Sequence, residues 1–269
     1  MKTYFILPIF NKEDLIKDVL QGIVDSVAGE YKVVVVLDGC TDKSESILLE
    51  FIENNNLKEK FDILFMNDVH EITCLNYALT HIKLESPDPN DLIITVQDDV
   101  IIQEKNLDTY LFGVWDQIKD LGYLSLRLGC SVHSLNGTLN ESNFVESEFG
   151  HWKQIGRNDY QLLEQYSFEE TEVAIRSPAV TKWKRHMEVG FYDSALAPCG
   201  FDCHDFSIRM RQHGYKNGVL SIKFRSDVDW GSMRSKNKTK VNSIFGGIYE
   251  VNKRYLSRKH SKYFENRNG

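Results

Sequence analysis

The sequence lacks any long hydrophobic segment. No uninterrupted apolar stretch approaches the ~20 residues that a membrane-spanning helix requires, and the apolar run near the amino terminus is too short for a secretory signal. The five cysteines are an odd number without regular spacing, which fits a reducing compartment better than a disulfide framework. We therefore expect a cytoplasmic protein, in which the sequons at Asn136, Asn140 and Asn237 are chance matches.

Glycine-rich phosphate-binding loops are also missing. Neither Gly-x-Gly-x-x-Gly nor a Walker loop is present, so dinucleotide-binding and P-loop proteins lose their usual support. Cys199, Cys203 and His204 have no fourth ligand at a standard spacing, which argues against structural zinc. The 269 residues, of which 42% are hydrophobic and 26% charged, are typical of a soluble globular enzyme with one large domain, or one domain and an appendage.

Charge is distributed unevenly along the chain. Residues 234–269 contain ten Lys or Arg and two Asp or Glu, a balance of +8, whereas the remainder holds 22 basic and 37 acidic residues, a balance of −15. A basic tail on an acidic body indicates contact with an anion, such as membrane phospholipid, a lipid-diphosphate acceptor or nucleotide phosphate. A solvated terminus explains the same pattern equally well.

Hydrophobic patterning predicts an α/β protein. In the first half, strands are expected at residues 4–8, 32–37, 61–66 and 92–96, with helices between them. Such alternation predicts a mostly parallel central sheet flanked by helices. Further on, helices are expected at 106–120, 179–188, 200–213 and 242–256, and strands at 123–128, 172–176 and 219–224. The long polar segment at 129–170 indicates a functional or disordered connection.

Two adjacent carboxylates, Asp98 and Asp99, directly follow the fourth predicted strand. Ligands of open α/β sheets gather outside the carboxyl ends of the strands, where two neighbouring anions favour a hard divalent cation, Mn²⁺ or Mg²⁺, that carries a phosphorylated substrate. Asp38 ends the second strand beside Gly39, so its carboxylate can accept hydrogen bonds from a base or from ribose. A solvated Asp-Asp turn and a turn-forming Asp38 are the alternatives for each residue taken alone.

Three charged residues, Asp202, Asp205 and Arg209, share one face of the helix predicted at 200–213. Asp202 in the first turn can present a base toward a cleft, while Asp205 can pair with Arg209 to hold that turn in place. A surface helix with ordinary salt bridges would show the same spacing.

In their order along the chain, these motifs resemble those of the family 2 glycosyltransferases, which share the GT-A fold. The matching segments lie at Pro8–Glu13, Leu37–Ser44, Asn76, Val96–Val100, Gly190–Asp193 and Asp202–Gly214, within residues 3–233. The resemblance implies a GT-A-like domain over 1–233, with a donor nucleotide-binding half at 1–105 and an acceptor half at 106–233. A basic helical tail would follow at 234–269.

The resemblance also implies roles for individual residues, with a nucleoside-diphosphate sugar as donor and Mn²⁺ or Mg²⁺ as cofactor. Asp202 would be the catalytic base, and the metal ligands would be Asp99 and Asp229. The donor would be bound by Pro8, Phe10, Asn11, Asp38, Asn76, Gln97 and Asp98. The chain departs from the family at two positions: Gln97 replaces the first Asp of Asp-x-Asp, and Cys203 replaces the usual catalytic Asp, which leaves Asp202 as the base.

The resemblance thus implies a metal-dependent, inverting glycosyltransferase that moves a sugar to an acceptor hydroxyl in glycan or polysaccharide synthesis. The acceptor would be a glycan or lipid-linked glycan recognised by residues 129–170, and the basic tail would allow peripheral membrane contact. No nucleic acid partner is expected. Two rivals stay open: a sugar-phosphate nucleotidyltransferase, which usually needs a glycine-rich basic loop after the first strand, and a non-catalytic nucleotide-sugar binding protein, which Gln97 and Cys203 make credible.

Overall fold

The computed structural model describes residues 1–127, 168–176, 178–220, 222–226 and 241–265, without the side chains of 241–246. The strands are β1 (Thr3–Ile9), β2 (Tyr31–Asp38), β3 (Phe61–Met66), β4 (Leu92–Thr95), β5 (Val100–Ile102), β6 (Leu121–Ser125), β7 (Phe168–Thr171), β8 (Ala179–Lys182), β9 (Lys216–Leu220) and β10 (Phe224–Ser226). The helices are α1 (Ile16–Ser26), α2 (Ser44–Asn54), α3 (Glu71–Leu84), α4 (Leu107–Gln117), α5 (Trp183–Val189), α6 (Asp202–Gln212), α7 (Val241–Lys259) and α8 (Ser261–Glu265).

Eight of these strands form one sheet in the order β3-β2-β1-β4-β8-β6-β9-β7. Neighbouring strands are parallel except where β8 meets β4 and β6 and where β7 meets β9. All strands of this sheet other than β7 and β8 therefore run in one direction, while β5 and β10 form a separate antiparallel pair. The predicted α/β class with a mostly parallel central sheet is confirmed.

The hydrophobic core lies on both faces of the sheet. In β2, Val33 and Val35 belong to the core on the side of α1, α2 and α4, while Val34 and Val36 belong to the core on the side of α3, α5 and α6. Consecutive valines therefore suit this strand, because each successive side chain enters a buried layer. The continuous apolar runs at the first, second and fourth strands have this cause.

The second half of the chain departs from the sequence prediction at several places. Instead of one strand at 219–224, β9 ends at Leu220 and β10 begins at Phe224. Residues 179–182 form β8, whereas the sequence predicted a helix from residue 179. Val180 pairs with both Ile94 and Leu124, so hydrogen bonds to two flanking strands outweigh local helix preference, and α5 begins only at Trp183. The strand predicted at 172–176 is also wrong, because the edge strand β7 ends at Thr171.

The carboxyl-terminal helix α7 packs against the second half of the sheet domain. Leu256 is fully buried with Val173 and Ile208, and Asn252 is 3% exposed. Residues 227–240 lie outside the described part of the chain, so the predicted boundary between residues 233 and 234 stays a prediction. Among the helices that the structure describes, none combines the length and apolar character needed to cross a membrane.

His186 lies inside this packed region and provides a test of it. Its ring centroid is 5.1 Å from that of Phe206 and 6.2 Å from that of Trp183. Burial, followed by the nearby charge of Arg209, lowers the pKa of His186 from 6.5 to about 3. Between pH 6.5 and pH 3 the unfolded chain therefore binds one more proton at this residue, and the folded protein loses stability as the pH falls through that window.

We predict that His186→Phe removes this loss. When the pH falls from 7.5 to 5, the free energy of unfolding of the variant should rise by about 2 kcal/mol relative to that of the parent chain, since the phenyl ring takes up no proton. Urea unfolding of both proteins at the two pH values measures this change. If the two proteins differed in free energy of unfolding by the same amount at both pH values, this result would contradict a buried, neutral His186.

Candidate active site

A pocket opens at the carboxyl ends of β1, β2 and β4. The sheet order places β1 between β2 and β4, so the chain winds outward in opposite directions from this point, which is where open α/β sheets bind ligands. The pocket is lined by Pro8, Ile9, Phe10, Asp38, His70, Glu71, Gln97, Asp98 and Asp99. Six residues predicted from the sequence therefore meet here: Pro8, Phe10, Asp38, Gln97, Asp98 and Asp99.

Asp98 is held by the loop that follows β1. The Phe10 N–H donates to Asp98 Oδ2 at 2.9 Å, and Lys12 Nζ lies 3.6 Å from Asp98 Oδ1. Burial raises the pKa of Asp98 to about 7, opposed by the charge of Lys12 and reinforced by that of Asp99. A cation bound in this pocket would favour the ionised form of the carboxylate.

Asp99 carries the clearest sign of a cation site. It is 5% exposed, and its Oδ1 atom has no hydrogen-bond partner among the described residues. Burial raises the pKa of Asp99, while Lys12 and Arg127 oppose the shift. A buried carboxylate oxygen without a partner is costly, and a hard divalent cation would satisfy it. The residues present thus fit Mn²⁺ or Mg²⁺ at Asp99, whereas the other predicted ligand, Asp229, lies outside the described residues.

Asp38 forms one wall of the pocket and secures the next loop. Its Oδ1 and Oδ2 atoms accept hydrogen bonds from the N–H groups of Val69 at 2.7 Å and His70 at 2.8 Å. These bonds hold His70 at a φ of 69°, which is an unfavourable backbone conformation for a residue with a side chain. Gly39 has a φ of 71°, and a Cβ atom there would lie 2.8 Å from the Asp68 nitrogen, so the close approach of the two loops requires glycine.

The two predicted asparagines connect loops around the pocket. Asn11 Oδ1 accepts a hydrogen bond from the Thr41 N–H at 2.8 Å, which ties the segment after β1 to the segment after β2. Asn76 Oδ1 accepts a hydrogen bond from the Tyr192 N–H at 3.0 Å, and Asn76 Nδ2 donates to the backbone carbonyl oxygen of Tyr192 at 2.8 Å. Neither asparagine is among the described residues that line the pocket, and direct contact of either with a donor stays a prediction.

Arg176 joins the pocket to the first turn of α6. Its Nε atom is 2.8 Å from Asp202 Oδ2, and its Nη1 atom is 2.5 Å from Glu71 Oε1. The same Glu71 oxygen accepts a hydrogen bond from Gln97 Nε2 at 2.9 Å. A chain of polar contacts therefore runs from Gln97 through Glu71 and Arg176 to Asp202, which lies behind the lining of the pocket rather than in it.

The electrostatics of α6 favour Asp202 over Cys203 as a proton acceptor. Burial raises the pKa of Asp202, and the charge of Arg176 opposes the shift. Burial also raises the pKa of the Cys203 thiol to about 12, and the backbone N–H of Arg176 donates to Cys203 Sγ at 3.1 Å. The thiol therefore stays protonated near neutral pH, which makes it a poor base.

Asp205 holds α6 in place. It is fully buried, and it accepts hydrogen bonds from Arg209 Nε at 2.8 Å and from His260 Nε2 at 2.8 Å. Lys259 Nζ lies 2.5 Å from Asp205 Oδ1. Burial alone would raise the pKa of Asp205, but these bonds and charges lower it to about 2. The pair of Asp205 and Arg209 predicted from the sequence is present, and Lys259 at the end of α7 and His260 directly after it are two further partners.

The loop that leads into α6 is also fastened by α7. Asn252 Nδ2 lies 2.9 Å from the carbonyl oxygens of Leu196 and Cys199 and 3.3 Å from that of Gly200. These contacts satisfy backbone acceptors that would otherwise be buried without partners. Asp202 thus receives its position from a contact that is distant in sequence.

Five residues of the site were not predicted from the sequence: Ile9, Lys12, His70, Glu71 and Arg176. Lys12 lies inside the motif at Pro8–Glu13, and Glu71 is an acidic residue at a helix amino terminus, which is a weak signal because such residues are common there. Nothing in the sequence pattern marked Arg176, which lies in the segment wrongly predicted as a strand.

Structural comparison assigns the chain to a known fold. A mannosyltransferase, PcManGT from Pyrobaculum calidifontis in complex with GDP-Man and Mn²⁺, is similar over 84% of this chain and 55% of its own, with 17% identity and a TM-score of 0.55. TarS of S. aureus (residues 1–349) in complex with UDP-GlcNAc is similar over 84% of this chain and 58% of its own, with 15% identity and a TM-score of 0.52. The same TarS segment in complex with UDP is similar to this chain over 61% of its own length, with a TM-score of 0.53.

These similarities show that the chain has the GT-A fold. It spans less than two thirds of the length of each of these structures. No family model matches the sequence, and no curated protein matches it.

The buried position of Arg176 predicts a large and pH-dependent cost of its removal. Arg176→Met should lower the free energy of unfolding by about 3–5 kcal/mol at pH 8, because Glu71 and Asp202 lose a shared buried partner. The cost should shrink at pH 5, because burial raises the pKa of Asp202 and its protonation there is less unfavourable than at pH 8. Urea unfolding at both pH values measures it.

The matched control for this measurement is Arg211→Met. Arg211 Nη1 lies 3.3 Å from Glu170 in a pair whose side chains are 33% and 46% exposed, so its removal should cost less than about 1 kcal/mol. Equal losses in the two variants would contradict the structural role assigned to Arg176.

Proposed function

We propose that the protein is a glycosyltransferase that moves a sugar from a nucleoside-diphosphate sugar to an acceptor hydroxyl. The observation that carries the proposal is the buried Asp99 oxygen without a partner among the described residues, at the ligand-binding edge of a GT-A sheet. Two proteins with this fold bind GDP-Man with Mn²⁺ and UDP-GlcNAc, respectively. A nucleotide sugar accompanied by a divalent cation is the ligand that these features favour together.

The donor would lie against the carboxyl ends of β1, β2 and β4. Asp38 and Gln97 offer oxygen acceptors to base or ribose groups, and Pro8 and Phe10 line the same pocket as Asp98. Asn11 and Asn76 would act by holding the surrounding loops, since both side chains bond to neighbouring backbone.

Asp99 would hold Mn²⁺ or Mg²⁺, with Asp98 next to it and Asp229 as a further ligand. The cation would supply positive charge to the diphosphate as it leaves. Lys12, which is 6% exposed and lies 3.6 Å from Asp98, would hold this carboxylate in position as the ligand binds.

Asp202 would act as the general base. The acceptor oxygen attacks the anomeric carbon as the bond from that carbon to the diphosphate oxygen breaks, and the hydroxyl proton passes to Asp202. A single direct displacement of this kind inverts the anomeric centre. The ion pair with Arg176 orients the carboxylate and would loosen as it takes up the proton, because protonation removes the negative charge from Asp202.

A glycan or lipid-linked glycan would be the acceptor, in glycan or polysaccharide synthesis in the cytoplasm. The basic residues at 234–269 support peripheral contact with an anionic membrane or with a lipid-diphosphate acceptor. Lys259 is not available for such contact, because it pairs with Asp193 at 2.7 Å and with Asp205.

The test is release of nucleoside diphosphate from UDP- and GDP-linked hexoses, with Mn²⁺ or with chelator, in the presence of an acceptor panel. We predict that Asp202→Asn lowers the transfer rate by about 10²–10⁴-fold while leaving the donor Kd within about threefold, because the base acts only in the chemical step. Asp116→Asn, at a side chain that is 70% exposed, is the matched control and should retain full activity.

A second variant tests the cation site. Asp99→Asn should weaken Mn²⁺ binding measured by calorimetry by at least about tenfold, because it removes the buried anionic oxygen. Tight donor binding without turnover on any acceptor would instead indicate a binding protein. Release of inorganic pyrophosphate from a nucleoside triphosphate and a sugar phosphate would indicate a nucleotidyltransferase.

A further inference from the structure

Gln97 brings an uncharged amide to a pocket that is otherwise rich in carboxylates. Gln97 follows β4 by two residues and lines the pocket next to Asp98 and Asp99. An amide carries no charge, so it forms weaker hydrogen bonds with hydroxyl donors than a carboxylate does. A charged acceptor for a hydroxyl group therefore has to come from a residue other than Gln97.

Glu71 brings a carboxylate to the same place from a different element. It is the first residue of α3, it lines the same pocket, and its side chain is 18% exposed. Gln97 Nε2 donates to Glu71 Oε1 at 2.9 Å. The two side chains are therefore in direct contact, and the amide of Gln97 orients the carboxylate that has the charge.

The contacts of Glu71 use one of its two oxygens. Oε1 receives both the Gln97 amide and Arg176 Nη1, the latter at 2.5 Å. Oε2 has no hydrogen-bond partner among the residues that the structure describes. A carboxylate whose one oxygen is fastened by an amide and a guanidinium presents the other in a defined direction, which is the arrangement of a binding group rather than of a simple counterion.

Glu71 is placed to bind a hydroxyl rather than the cation. Within the described residues, Asp98, Asp99 and Glu71 do not form a group whose carboxylate oxygens all lie within 4.8 Å of one another, so they are not assembled around one ion. Hydroxyl groups are the donors that a nucleoside-diphosphate sugar offers in quantity, on its ribose and on its sugar.

We propose that Glu71 is a donor-binding residue whose free carboxylate oxygen accepts a hydrogen bond from a hydroxyl group of the nucleoside-diphosphate sugar, replacing the carboxylate that Gln97 lacks. The inference rests on the proposed function, since it requires such a donor in the pocket. Through Arg176, the same carboxylate is connected to Asp202, so the donor site and the proposed base share one buried guanidinium.

The experiment measures the Kd of the full chain for a nucleoside diphosphate and for the matching nucleotide sugar by calorimetry with Mn²⁺, and the Kd for Mn²⁺ alone. Glu71→Gln keeps the shape of the side chain and removes its charge. It should weaken nucleotide-sugar binding by about 10- to 100-fold, the loss expected for one hydrogen bond to a charged group. Binding of Mn²⁺ alone should change by less than about threefold.

The two ligands identify the hydroxyl. An equal loss for nucleoside diphosphate and nucleotide sugar assigns the contact to ribose, and a loss confined to the nucleotide sugar assigns it to the sugar. Either result supports the proposal. Unchanged nucleotide-sugar binding in Glu71→Gln overturns it, and so does a tenfold loss of Mn²⁺ binding, which would make Glu71 a metal ligand.

A charge relocation separates binding from structure. The double variant Glu71→Gln with Gln97→Asp returns a carboxylate to the pocket and should recover nucleotide-sugar affinity to within about fivefold of the parent chain. This exchange does not restore a counterion to Arg176. Failure of the double variant to recover nucleotide-sugar affinity would therefore count against the proposal. Glu53→Gln, at an exposed residue of α2, is the control for loss of an acidic side chain.

Folding is followed by the thermal transition of each variant. If Glu71→Gln does not fold, Glu71→Asp takes its place, because it keeps the charge beside Arg176 while drawing the carboxylate back from the pocket; it should still weaken nucleotide-sugar binding. Failure of the parent chain itself to bind any nucleotide sugar would refute the proposed function, whereas equal binding by parent and variants would refute only the role of Glu71.

Discussion

The cost of burying carboxylates at the edge of the sheet governs the arrangement of this site. Asp98 and Asp99 lie side by side with little exposure. Glu71 lines the same pocket, and Arg176 connects it to Asp202 behind the lining. Each is held by a cation or an N–H group, yet one Asp99 oxygen keeps no partner within the described chain. Because a buried carboxylate oxygen without a partner is unfavourable, this geometry favours binding of a positive ion.

Arg176 connects two of these carboxylates, Glu71 and Asp202. A buried guanidinium shared by two carboxylates links residues from α3 and α6, which approach the pocket from different parts of the chain. Its charge opposes the rise in the pKa of Asp202 that burial causes. Donor recognition at Glu71 and proton transfer at Asp202 are therefore proposed to depend on the same guanidinium. The pairing of α3 with α6 through Arg176 is a physical reason for the two halves of the chain to fold as one unit.

The first half of the fold was predictable because its elements follow local rules. Four valines in β2 enter buried layers on both faces, so the pattern alone indicates a covered parallel strand. The second half was predicted less well, since the short β8 is stabilised by strands on either side of it rather than by its own composition. The basic carboxyl-terminal segment was predicted as a tail, yet Asn252 and Lys259 within it form buried contacts that position α6.

For the site, the sequence by itself determined which carboxylates lie at the strand ends: a run of apolar residues that stops at Asp38 or at Asp98 and Asp99 can only place those side chains at the edge of the sheet. It could not determine their partners. Glu71, Arg176 and Asp202 meet across separations of 26 residues or more, and their pairing depends on how α3 and α6 pack against the sheet. Local pattern specifies secondary structure, whereas long-range ion pairs are specified only when the buried faces of the elements come together.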